Sequence, residues 1–139
     1  MPDYSGSAID HLNLGVSDLG RSEAFYSPTL DAIGIAKTLE IPANFDGEHP
    51  AMIGYGWPHK PFLWLVDRGS VGTDVHLAFA VDTPDLVEIF FETALKNGAT
   101  PKLAPMHHRY HPNYYGAFVY DPDGINLEAV CHRPPPESD

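Results

Sequence analysis

The sequence predicts an α+β fold in which two tandem βαβββ units form a half-open mixed barrel around a groove. Three observations point there. First, His11-Leu12-Asn13-Leu14-Gly15-Val16-Ser17-Asp18 and His76-Leu77-Ala78-Phe79-Ala80-Val81-Asp82-Thr83 are similar stretches offset by 65 residues. Second, the same offset places Phe25-Tyr26 on Phe90-Phe91 and Leu30 on Leu95, and one gap later Gly34 on Gly98. Third, strand-like segments between turn residues follow each helical pattern. A small sheet with one helix leaves a face uncovered, and a second unit beside it covers that face.

The first unit spans about residues 8–67. Leu12, Leu14 and Val16 alternate with His11, Asn13 and Gly15, as in a half-buried strand. A helix follows from about Asp18, a good N-cap, and Pro28 is expected to kink or end it early. Strands are expected over Ile35 to Ile41, Ala51 to Tyr55 and Phe62 to Val66, with a turn over Gly56 to Pro61.

The second unit spans about residues 73–132. Val75 to Val81 is an apolar strand. Thr83 caps a helix whose first position, Pro84, needs no N–H donor. Leu86, Ile89, Phe90, Ala94 and Leu95 form its apolar face, and Asn97-Gly98 stops it. Met106 to Tyr114 reads as a loop rich in histidine and tyrosine. Tyr115 to Tyr120 and Ile125 to Val130 form a hairpin across Asp121-Pro122-Asp123-Gly124.

With 139 residues, 43% of them hydrophobic, the chain can bury one core, so residues 1–139 are expected to form a single domain. Residues 133–139 read as a disordered tail. A formal net charge of -11 argues against nucleic-acid and anionic-membrane partners. One cysteine, Cys131, excludes an intrachain disulfide and fits a cytoplasmic chain. Its place at a strand end makes it a buried, inert thiol. No segment reads as a membrane span or a signal peptide.

His11, His76 and Glu128 are the candidate metal ligands. Two imidazoles and a carboxylate are the donor set of a facial triad with open positions. Glu128 falls in an apolar strand, where a bare carboxylate is costly and a cation relieves that cost. The loop before the final hairpin supplies three candidate catalytic residues. Arg109 can grip a carboxylate or enolate, and His108 and His111 can carry protons.

The residues His11-x-x-Leu14, Asp18-Leu19-x-Arg21-Ser22-x-x-Phe25-Tyr26, His76-Leu77-Ala78-Phe79 and Tyr115-x-Ala117-Phe118-x-x-Asp121-Pro122-Asp123-Gly124-x-x-x-Glu128 resemble the vicinal oxygen chelate superfamily. That superfamily includes glyoxalase I, extradiol dioxygenases and the bleomycin resistance proteins. The resemblance implies metal ligands on the first and last strands of each unit. His11, His76 and Glu128 match three such positions, and the fourth falls on Leu63 or Trp64. It therefore implies a three-ligand site rather than the four-ligand site of glyoxalase I. Phe118 stands where the extradiol signature has tyrosine, which disfavours ring cleavage. Trp64, Tyr115, Asn13 and Phe118 are the expected substrate contacts.

The expected function is that of a metal-dependent dioxygenase or lyase chelating vicinal oxygens of a small molecule. The expected cofactor is a divalent metal ion, with Fe, Mn, Zn and Ni not distinguished. The alternative is a metal-free ligand-binding protein like those of bleomycin resistance. The resemblance also implies a homodimer, and leaves open whether the site lies within one chain or across two.

Overall fold

A computed structural model of the chain describes residues 9–44, 49–72, 74–110 and 112–133. His111, and the expected tail beyond Arg133, lie outside the described residues. The first unit consists of β1 (Leu12–Val16), α1 (Leu19–Asp31), β2 (Ala36–Ile41), β3 (Met52–Trp57) and β4 (Lys60–Asp67). The second consists of β5 (His76–Ala80), α2 (Pro84–Lys96), β6 (Thr100–His107), β7 (Tyr115–Tyr120) and β8 (Asn126–Cys131). The sheets have equivalent orders, β1-β4-β3-β2 and β5-β8-β7-β6. In each, the first strand runs parallel to the last and the remaining pairs are antiparallel. The two sheets do not close on one another, so β1 and β5 are both edge strands.

Local chemistry sets the element ends. Asp18 caps α1 by accepting from Arg21 N at 3.1 Å, and Thr83 caps α2 by accepting from Leu86 N at 3.3 Å. Gly98 follows α2 with φ 109°, a conformation in which a side chain would be strained. Of the two outcomes expected of Pro28, a kink or an early end, the second does not occur; the helix continues to Asp31. Full burial of Leu30 stabilises by ~2 kcal/mol, and Ile33 and Ile35 enter the same core. Together they outweigh the ~3 kcal/mol cost of an internal proline. The turn after β3 is also shorter than expected. Trp57 and Lys60 pair across it, with His59 at φ 68°. Likewise Met106 and His107 are strand rather than loop, paired with Gly116 and Tyr115 of β7.

Strand register resolves the missing fourth position. Ala78 lies opposite Glu128, and Asn13 opposite Trp64. Asn13 and Ala78 differ by the repeat offset of 65 residues, so Trp64 is the counterpart of Glu128. Leu63 points the other way, into the core, at 2% exposure.

One apolar cluster joins the units. It includes Phe25, Tyr26 and Leu30 of α1, Val87 and Phe90 of α2, and the inward residues of both sheets. Cys131 is buried in it, as expected. The units are also tied by polar bonds. Tyr26 donates to Asp121 Oδ2 at 2.6 Å, and Arg21 Nη2 donates to Asp123 Oδ1 at 2.7 Å. Asp121 Oδ1 in turn accepts from Asp123 N and Ile125 N, both at 2.8 Å, which fixes the final turn. Among the described residues, no helix is long and apolar enough to cross a membrane.

Candidate functional site

The faces of β5, β7 and β8 turned away from the helices carry the candidate chemistry. Strand periodicity puts His76, Asn126, Glu128, Gly116, Phe118 and Tyr120 on this face. Leu127, Ala129, Ala117 and Val119 point into the core, each at 0% exposure.

Glu128 is 1% exposed, yet both its oxygens are satisfied. His76 Nε2 lies 2.8 Å from Oε1, and the Tyr114 hydroxyl donates to Oε2 in a short bond. A carboxylate only accepts, so His76 carries its hydrogen on Nε2 in this arrangement. Burial, and then the bond to Glu128, hold the Tyr114 phenol well above its usual pKa. Tyr114 is thus a proton donor throughout the physiological range. Gly116 makes room for the carboxylate, since a Cβ there would lie 2.9 Å from Glu128 Oε2.

Aromatic rings wall this cluster. Phe118 stacks on His76 with ring centres 5.7 Å apart. His108 meets Phe118 edge-on at 5.3 Å and Tyr114 at 5.8 Å. His108 Nε2 is buried and has no hydrogen-bond partner among the described residues. Lys102 Nζ lies 5.8 Å from the centre of Phe118 and 5.6 Å from that of Tyr120.

His11 is not part of the cluster within this chain. Its Nδ1 lies 2.8 Å from Asp10 Oδ2, which also pairs with Lys60 Nζ at 2.8 Å. The Lys60 bond, then the His11 bond, lower the Asp10 pKa, so Asp10 is an anion that accepts from Nδ1. Nε2 of His11 is left with the lone pair, on a side chain 52% exposed. Among the described residues, no three His, Cys, Asp or Glu side chains are grouped closely enough to hold a metal ion.

The structure therefore brings His76, Glu128, Phe118 and His108 together. Asn13 and Trp64 are neighbours on the other sheet, across the β1–β4 pair. Arg109 is exposed. Tyr115, an expected substrate contact, is turned to the helix side, where its hydroxyl donates to Glu88 at 2.9 Å. The residue that reaches the cluster is Tyr114. Sequence reasoning missed it, although period two counted back from Phe118 puts Gly116 and Tyr114 on the Glu128 face.

Residues 8–129 match the Glyoxalase/Bleomycin resistance protein/Dioxygenase superfamily. No curated protein matches the sequence. Among solved structures, the chain is similar to a glyoxalase/bleomycin resistance protein from Albidiferax ferrireducens T118. The two share 25% identity with a TM-score of 0.71, over 92% of this chain and 100% of that one. It is similar to a glyoxylase/bleomycin resistance protein/dioxygenase domain from Frankia sp. EAN1pec at 24% identity and TM-score 0.69, over 93% and 100% of the two chains. A V278E mutant of glyoxalase I from Zea mays shares the fold at 22% identity and TM-score 0.63, with 90% of this chain covering 44% of that one. The fold, its duplicated register and the match over nearly the whole sequence agree: this chain belongs to the Glyoxalase/Bleomycin resistance protein/Dioxygenase superfamily.

Proposed function

We propose that the protein is a homodimeric, metal-dependent enzyme of the dioxygenase or lyase type, acting on a small molecule with vicinal oxygens. Its metal ligands are His76 and Glu128 of one subunit and His11 of the partner subunit. The observation that carries this proposal is the division of the donor set within one chain. His76 Nε2 and Glu128 Oε1 converge, while His11 sits apart with Asp10 orienting its ring. A carboxylate on one imidazole nitrogen, leaving the other with its lone pair, is how ligating histidines are commonly held. His76 opens β5 and His11 immediately precedes β1, and both strands are sheet edges among the described residues. Exposed apolar side chains, Leu39 on the Trp64 face of the first sheet and Met106 on the Gly116 face of the second, fit a second copy covering these faces.

The donor set fits a divalent ion such as Fe, Mn, Zn or Ni. When bound, such an ion supplies Lewis-acid stabilisation of developing negative charge. The protein's own groups do the rest. Tyr114 holds Glu128 in position through Oε2. Phe118 orients His76 and, with Trp64 and Asn13, lines the substrate space. His108, whose buried Nε2 has no hydrogen-bond partner among the described residues, is placed to carry a proton.

Metal content of protein purified without chelator tests this proposal. The wild type is expected to hold one metal per site, and His76→Ala and Glu128→Ala are expected to lose it. Unchanged content in both variants would refute it. A second, metal-free reading, as a bleomycin-resistance-like binding protein, has one observation in its favour. His76 and Tyr114 already satisfy both Glu128 oxygens. A wild type free of metal when purified would select that reading.

A further inference from the structure

The geometry points to an anion-binding subsite beside His76, in which Lys102 pairs with a carboxylate of the substrate and Asn126 accepts from an adjacent N–H or O–H. A cavity of about 530 Å³ opens along the same sheet face, with His76, Lys102, Tyr120 and Asn126 in its wall. A cavity of that size suits a small ligand. Two of its polar groups are unspent. Asn126 Oδ1 is buried without a hydrogen-bond partner among the described residues, an expensive state unless a ligand or water donates to it. Lys102 lies over the Tyr120 and Phe118 rings and forms no ion pair among the described residues. Five of the chain's eight basic side chains, Arg21, Lys37, Lys60, Arg68 and Arg133, do pair with carboxylates. A cation with no ion pair among the described residues, in a chain of net charge -11, and the one lysine or arginine among the described residues of the cavity wall, is placed to receive an anion from solution.

The charge balance selects the anion. Lys102 supplies one positive charge. Asp123 is already engaged by Arg21 and Ser17, and Asp74 adds a carboxylate to the wall. Against Lys102 and Asp74 together, a dianion such as phosphate brings twice the uncompensated charge of a monoanionic carboxylate, so the monoanion is favoured. Val75 and Ile125 offer apolar wall for a short hydrocarbon part. The subsite thus names the substrate class of the enzyme proposed above, and rests on that proposal only in sharing His76 as a common wall. The substrate is a small organic acid whose carboxylate lies at Lys102 and whose oxygens reach His76 and Glu128.

Chelator-treated protein separates the subsite from the metal. Isotope-labelled full-length chain is titrated with phenylacetate, with its neutral isostere phenylacetamide and with inorganic phosphate, and amide resonances are followed by NMR. Phenylacetate is expected to bind about fivefold more tightly than phenylacetamide, as a partly exposed ion pair allows, shifting Tyr120 and Asn126. Lys102→Met, which keeps the stem over the rings, is expected to erase the preference, and Lys102→Arg to restore it. Equal binding of acid and amide, binding of neither, a preference for phosphate, or a preference that survives Lys102→Met would each overturn the subsite. None of these results bears on whether His76 and Glu128 bind metal, because no metal is present.

Discussion

Tyr114 shows how much one side chain's direction matters. It and Tyr115 are adjacent and chemically identical, yet one bonds Glu128 and the other Glu88 on the opposite side of the sheet. Tyr115 is one of four substrate contacts the sequence suggests, and strand parity turns its ring to the helix side, away from Glu128. That His76, Glu128 and Phe118 share one sheet face follows from the plain alternation of their strands. Removing the Tyr114 hydroxyl leaves Glu128 Oε2 without its donor while the carboxylate stays buried. Tyr114→Phe should therefore destabilise the metal-free protein by about 1–3 kcal/mol, measured by urea unfolding. If Glu128 ligates, the same change should weaken metal affinity about 10- to 100-fold, measured by competition with a chelating dye. A variant as stable as wild type would mean that the bond is not formed in solution.

At the scale of elements, α2 and the β7–β8 hairpin follow their local signals closely. Thr83-Pro84 starts the helix, Asn97-Gly98 ends it, and Asp121 to Gly124 forms the turn. α1 departs from its local signal at Pro28, because Leu30, Ile33 and Ile35 are drawn into a core that no local pattern specifies. β6 likewise reaches His107 because β7 is there to pair with it. The internal proline still removes a helical hydrogen bond. Pro28→Ala should raise stability by about 1 kcal/mol, since the restored bond exceeds the entropy that proline removes from the unfolded chain. A lower melting temperature for Pro28→Ala would show that the ring packs favourably where the helix accommodates it.

The whole molecule is a duplication whose halves have diverged. The second unit has the histidine–carboxylate pair, whereas the first has His11 just ahead of β1 and Trp64 in place of a carboxylate. The duplication was readable from the 65-residue offset and the structure reproduces it in strand order. In the proposed dimer, convergence of His11 with His76 and Glu128 would depend on which surfaces meet rather than on any local pattern, so no stretch of sequence encodes it. A joined site within one chain would group His11 with His76 and Glu128, and the described residues hold no such group. The proposed symmetric dimer would have two sites across one interface, each drawing on both copies.

Metal analysis of a hybrid dimer tests that arrangement most directly. A His11→Ala chain and a Glu128→Gln chain, carrying different tags, are co-expressed and the heterodimer is purified through both tags. One of its sites then lacks both His11 and Glu128, and the other is complete. The heterodimer should hold about half the wild-type metal per chain, with each homodimeric variant nearly empty. A heterodimer as empty as either homodimer would contradict the shared site and put the ligands back in one chain.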